Sequence, residues 1–167
     1  MKNIVLIGLM GSGKTVVSKK LAAQLKIERF STDEMIEAQE KLTITKIVEL
    51  KGWPYFRDLE HSIIRSLAAK QGVIIDCGGG VVLNPANLEL LKKNGLVFFL
   101  KAAPDVLFRR LKNDKTRPLI SGPNPQARLK EIYEERLPLY NQADVIIDSS
   151  DDTCARPVVE ILKKVSG

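Results

Sequence analysis

The chain has 167 residues, 44% of them hydrophobic and 28% charged, and carries a net charge of +6. That length fits one domain with a sizeable core, the composition is that of a soluble globular protein, and no apolar run approaches the length of a membrane span. The two cysteines, Cys77 and Cys154, give neither a disulfide framework nor metal-ligand spacing, which argues against a stapled secreted scaffold or a structural zinc module and for a reducing cytoplasm.

Asn3–Ile7 reads as a buried strand rather than part of a signal peptide, because Gly8 and Gly11 interrupt the apolar stretch. Lys14–Leu25 carries Val17, Leu21 and Leu25 at helical spacing. Ile27–Phe30 and Val73–Asp76 are expected strands. Pro85 opens a helix that ends near Asn94-Gly95. Leu96–Leu100 and Val145–Asp148 are the remaining expected strands. Most of them are continuously apolar, as in a parallel sheet covered on both faces. Their alternation with helices implies βαβ units and a three-layer α/β fold. The segment 112–126, KNDKTRPLISGPNPQ, is polar, contains three prolines and has no periodicity. A loop of this length is a functional lid or a disordered linker. No internal repeat or second domain is visible, so 1–167 reads as one domain.

The basic residues Arg109, Arg110, Lys112, Lys115 and Arg117 face only Asp114 within their stretch. They form either a solvated surface or a patch for an anionic ligand. Nucleic acid is disfavoured, because no aromatics interleave with the cations.

Gly8-x-x-x-x-Gly13-Lys14-Thr15 follows a strand and precedes a helix, which is the context a P-loop requires. Glycines let backbone N–H groups turn towards an anion, and the helix N-terminus adds partial positive charge. Lys14 can reach the β- and γ-phosphates, and the Thr15 hydroxyl can bind Mg²⁺. Gly11, Ser12, Gly13, Lys14, Thr15 and Val16 are therefore the candidate nucleotide contacts. Arg136 lies three, four and seven residues after Tyr133, Ile132 and Leu129, on the apolar stripe of its helix. An inward cation needs an anion, either an internal salt-bridge partner or a ligand carboxylate. Arg57 and Glu60 stand at i, i+3, and Glu60 shares a stripe with Phe56, Ile63, Ile64 and Leu67. The pair is a surface bridge or a substrate-directed arginine held by an acid. Gly78-Gly79-Gly80 follows a strand, where ligands of open α/β sheets bind. It is a tight turn or a place where backbone approaches a small ligand.

"GLMGSGKT", "TDEMIE", "YFRDLE", "CGGGVV", "TRPLI" and "RLPLY" resemble, in order and approximate spacing, the motifs of shikimate kinases, from Lys2 to about Asp148. The resemblance implies a five-stranded fold like that of the nucleoside-monophosphate kinases, with a lid at about 112–125 and a substrate-binding region at about 31–61. It implies ATP- and Mg²⁺-dependent phosphorylation of the 3-hydroxyl of shikimate by a monomer. It gives the shikimate carboxylate to Arg57 and Arg136, the acceptor hydroxyl to Asp33, the substrate's floor to Gly78, Gly79 and Gly80, the ATP phosphates to Arg117, and adenine to Arg110. Each has a bland alternative: Asp33 also suits a helix's first turn, and Arg110 and Arg117 suit an exposed surface.

Two stretches depart from the family pattern. Shikimate kinases usually have Asp-x-Asp after the second strand, where this chain has Ser31-Thr32-Asp33. Ser31 with Glu34 forms a capping-box pattern, but the metal is left one carboxylate short. Asp76, at the end of a hydrophobic strand, has the form of a Walker B acid. It either takes an outer-sphere metal role or caps a loop. Gly52-Trp53-Pro54 replaces the family's Gly-Glu, and Trp53 is a pocket cover or a hydrophobic anchor. Another small-molecule or nucleotide kinase of the same fold is the alternative function, and a non-enzymatic nucleotide-binding or nucleic-acid-associated protein that uses the basic 109–117 patch is the third.

Overall fold

A computed structural model describes residues 1–112 and 122–167. Five parallel strands, β1 (Asn3–Ile7), β2 (Arg29–Ser31), β3 (Ile74–Asp76), β4 (Gly95–Lys101) and β5 (Val145–Asp148), form one sheet in the order β2-β3-β1-β4-β5. The helices are α1 (Lys14–Leu25), α2 (Thr32–Glu40), α3 (Ile44–Ala68), α4 (Pro85–Asn94), α5 (Pro104–Leu111), α6 (Pro125–Tyr140) and α7 (Ala155–Val165), with a 3-10 turn at Val81–Leu83.

The alternating residues of the strands divide the core in two. Ile4, Leu6, Ile74, Phe98 and Leu100 pack with Val17 and Leu21 of α1 and Val158 and Ile161 of α7. Val5, Ile7, Ile75, Val97 and Phe99 face the other way, onto side chains of α2, α3, α4, α5 and α6. Both faces of the sheet are therefore covered, which is why its strands read as apolar runs. Each fully buried aliphatic side chain contributes about 1.5–3 kcal/mol.

The expected strand Ile27–Phe30 starts two residues early and ends one residue early. Lys26 takes a left-handed conformation (φ 55°) that ends α1, and the ladder starts only where Arg29 pairs with Ile74. Ser31 then leaves the sheet and caps α2, its hydroxyl accepting from the Glu34 N–H at 3.3 Å. The other half of the expected capping box is replaced, because the Glu34 carboxylate pairs with Arg29 at 3.0 Å.

α3 bends at Gly52 (φ 83°, ψ 166°). Pro54 follows, where its missing N–H falls in the first turn of the second segment and costs no helical hydrogen bond. The bend separates Ile44–Lys51, which carries pocket-lining Ile44, from the segment that carries Trp53, Arg57 and Glu60. No helix among the described residues is long and apolar enough to cross a membrane.

The chain order changes direction at β1, which has β3 on one side and β4 on the other. The carboxyl ends of these strands flank a crevice, the usual ligand position in such sheets.

Candidate active site

The crevice is a cleft of about 780 Å³. The donor side begins at the end of β1, with Gly8 (φ 149°), Gly11 (φ 82°) and Gly13 (φ 91°) in conformations that side chains rarely adopt. Gly13 caps α1 without any side-chain hydrogen bond, so the helix presents its first N–H groups to the cleft as an anion site. Lys14 lies across the loop, its Nζ donating to the carbonyls of Gly8 (2.7 Å) and Leu9 (3.2 Å). Gly11, Gly13, Lys14, Thr15 and Val16 all line the cleft.

Ser12 is placed differently from its expected role. Its N–H donates to the Leu9 carbonyl at 3.1 Å, its side chain is buried, and it does not line the cleft. It serves the loop's own shape. The Ser12 carbonyl accepts from the Ser149 hydroxyl, and Cys154 packs so closely that a Cβ on Gly13 would stand 2.8 Å from its Sγ. Arg110 belongs to the same contact between the P-loop and 149–154. It donates to the carbonyls of Gly11 (3.1 Å) and Ser149 (2.8 Å) and pairs with Asp152. That places it at the edge of the loop, outside the cleft lining. Arg117, and most of the expected lid, lie outside the described residues.

The acceptor side gathers residues from four elements. Asp33 comes from the first turn of α2, Arg57 and Glu60 from α3, the three glycines from the turn after β3, and Arg136 from α6. Arg136 is 5% exposed and forms no ion pair within 4.0 Å with another described residue. The helical stripe therefore placed this cation inward, and the internal salt bridge that could have explained it is absent among the described residues. Arg57 donates to Glu60 at 2.9 Å, and its guanidinium lies 5.1 Å from the Trp53 ring centroid and 5.2 Å from that of Phe56. Such cation–aromatic contacts hold a guanidinium in one orientation. Glu60 is 1% exposed, and its second oxygen, Oε2, is buried without a hydrogen bond. Burial pushes the Glu60 carboxyl above its ordinary range, while the Arg57 charge partly offsets the rise.

Gly78 and Gly80 are needed for space, whereas Gly79 has room for a side-chain carbon at ordinary contact distance. A Cβ on Gly78 would stand 2.5 Å from Asp33 Oδ1, one on Gly79 would stand 3.8 Å from Arg136 Nη1, and one on Gly80 would enter the Arg57 guanidinium. The turn is thus a bare floor beneath all three charged groups. Gly78 N–H donates to Thr32 Oγ1 at 2.8 Å, fixing the floor to α2. The Gly79 carbonyl accepts from the Tyr140 hydroxyl, whose pKa burial pushes up to about 12. Cys77, at the start of the turn, is a buried thiol raised well above its ordinary value by desolvation, hence a poor nucleophile.

The sequence reading missed Tyr140, the Trp53–Arg57 contact and Arg29. Trp53 and Arg57 are at i, i+4, a spacing that could have revealed the contact. Arg29, the first residue of a short mixed strand after Glu28, carried no clear sequence signal. Asp76 is 4% exposed and lines the cleft, and its Oδ2 accepts from Arg29 Nη2 at 2.7 Å.

Among the described residues no cluster of three or more His, Cys, Asp or Glu side chains could hold a metal. The cleft nevertheless offers the Thr15 hydroxyl and the Asp76 carboxylate, both hard oxygen donors. That set suits Mg²⁺, which binds through one or two protein groups together with substrate phosphates.

Known proteins are similar to this chain over nearly its whole length. The family profile described as shikimate kinase matches residues 10–166. The shikimate kinase of Caldanaerobacter subterraneus subsp. tengcongensis is 42% identical over 98% of this chain and 95% of its own length. That of Thermodesulfovibrio yellowstonii is also 42% identical, with coverages of 98% and 95%. The structure of shikimate kinase from Acinetobacter baumannii in complex with shikimate superposes with a TM-score of 0.95, at 32% identity over 99% of this chain and 93% of the other. With a cleft that pairs a P-loop with two inward arginines, and with relatives matching over nearly its whole length, this chain belongs to the shikimate kinase family.

Proposed function

We propose that this protein transfers the γ-phosphoryl group of ATP to the 3-hydroxyl of shikimate, giving shikimate 3-phosphate and ADP. The observation that carries the reading is Arg136, a buried cation without a described ion-pair partner, facing the same cleft as the P-loop. A small acceptor bearing a carboxylate supplies the missing anion, and a guanidinium fork bonds both of its oxygens. Arg57, oriented by Glu60 and Trp53, is a second donor to that carboxylate.

The rest of the cleft divides the work. The bare floor Gly78–Gly80 admits a polar ring against backbone. Asp33 orients the accepting hydroxyl and takes its proton as the new P–O bond forms. Lys14 and the first N–H groups of α1 neutralise the donor phosphates, and Thr15 is the residue that would hold Mg²⁺. When bound there, the metal would supply neutralising charge to the donor phosphates. Arg117 is assigned to the charge on the transferred group, and Arg110 to the adenine edge of the site. The reading includes a monomer working in the cytoplasm, a compartment that keeps the thiols of Cys77 and Cys154 reduced.

A coupled ADP-release assay over a panel of acceptors tests this. Turnover of shikimate, with little on gluconate or on nucleosides, is expected. Turnover of another acceptor with none on shikimate would overturn the reading.

A further inference from the structure

Arg29 is a cation on the edge strand of the sheet, yet its side chain is only 12% exposed. Each arm of its fork is committed. Nη1 pairs with the exposed Glu34 carboxylate at 3.0 Å, Nη2 with Asp76 Oδ2 at 2.7 Å, and Nε donates to Ser18 Oγ at 2.7 Å. The Ser18 hydroxyl proton lies within reach of the Thr15 carbonyl (3.0 Å) and of the same Asp76 oxygen (3.2 Å). The bridge to Glu34 is a surface pair and contributes little. The bridge to Asp76 is nearly buried, and such a pair is weak evidence for stability, because apolar residues of similar size often serve as well.

The placement points to a different use. Both hydrogen bonds that described residues make to the Asp76 carboxylate go to Oδ2, and no described residue bonds Oδ1, although Asp76 lines the cleft. Ser18 lies one turn after Thr15 on α1, so the network joins the Thr15 turn to the carboxylate. Asp76 is also the register partner of Ser31 at the carboxyl end of the sheet, where the donor site lies. Mg²⁺ keeps several of its waters in nucleotide sites, and those waters need acceptors at this level.

We propose that Asp76, held by Arg29 and Ser18, offers Oδ1 to the water shell of the Mg²⁺ that Thr15 would hold, with Arg29 and Ser18 as positioning residues. The proposal rests on the nucleotide reading of the P-loop and not on the identity of the acceptor.

Titration of Mn²⁺ into the enzyme·ADP complex, followed by the electron paramagnetic resonance signal of free Mn²⁺, tests it directly. Asp76→Asn is expected to weaken Mn²⁺ binding about tenfold, the scale of an outer-shell partner. The double variant R29M/D76N removes both charges together. It leaves no orphaned cation to disturb folding and does not change the net charge of the site, and the same loss is expected there. Metal-free ADP binding and the response of Trp53 fluorescence to shikimate should be unchanged in the double variant. Adding Ser31→Asp to it returns a carboxylate to the same level one strand away, and most of the affinity should return. Normal Mn²⁺ affinity in the double variant, or no recovery with Ser31→Asp, would overturn the proposal. The expected pattern in an enzyme that fails to phosphorylate shikimate would support it while faulting the acceptor assignment alone.

Discussion

Arg136→Met separates recognition from stability. Methionine keeps the apolar stem of the side chain and removes the guanidinium with its charge. In the folded protein Arg136 is 5% exposed and has no described carboxylate within 4.0 Å, while it shares a hydrogen bond with the Tyr140 hydroxyl and the Glu60 charge acts on it from farther away, so its desolvation is only partly offset. Removing it should leave the melting temperature unchanged or raise it. Binding should move the opposite way. Truncating one partner of a buried, hydrogen-bonded charge pair costs about 2–5 kcal/mol, and about 1.4 kcal/mol corresponds to tenfold. The shikimate dissociation constant should therefore rise by at least about 30-fold, near the low end of that range because Arg57 remains. The chain's single tryptophan, Trp53, lines the cleft, so its fluorescence reports a shikimate titration directly. ATP binding serves as the control. Shikimate affinity within threefold of the parent would refute the reasoning. A collapse of the melting temperature along with binding would do so too, because it would make Arg136 a structural residue.

Four further outcomes are expected. Gly80→Ala should displace the Arg57 guanidinium, which is the flexible end of a side chain; shikimate affinity falls about tenfold or more while thermal stability changes little. Asp33→Asn should lower kcat by about 10²–10⁴-fold with a much smaller change in the shikimate dissociation constant, seen by comparing steady-state kinetics with fluorescence titration. Lys14→Met should lower kcat by about 10²–10³-fold and leave shikimate binding intact. Glu60→Gln tests the burial of its carboxyl. The folded-state pKa of Glu60 is raised, so its contribution to stability is present below the ordinary carboxyl value and is lost as pH rises through the raised one. Glutamine does not titrate, so melting curves from pH 4 to 7 should show the parent losing stability relative to the variant. Parallel curves would contradict this.

Periodicity carried most of the architecture. Apolar runs, continuous in all but the second strand, identified the five strands, and the errors for β2 fell at its ends, where Lys26 and Ser31 turn the chain by caps rather than by burial. The helical stripes of α3 and α6 placed Glu60 and Arg136 inward from sequence alone, and both are buried. Contacts between strands carry no such signal. Arg29 and Asp76 are 47 residues apart, and only the pairing of β2 with β3 brings them together. The three glycines were legible as a loop without side chains, but that Gly78 clears space for Asp33 and Gly80 for Arg57 depends on α2 and α3 converging there. Ser12 shows the reverse case, because the motif assigns it to the nucleotide by position, while its N–H is spent inside the loop.

The measurement closest to the central claim is product identification by ³¹P and ¹H nuclear magnetic resonance after incubation with ATP, Mg²⁺ and shikimate. A single new phosphate ester coupled to the proton at carbon 3, formed in equal amount to ADP, is the predicted result. ADP formation without that ester, or an ester at another hydroxyl, would contradict the account.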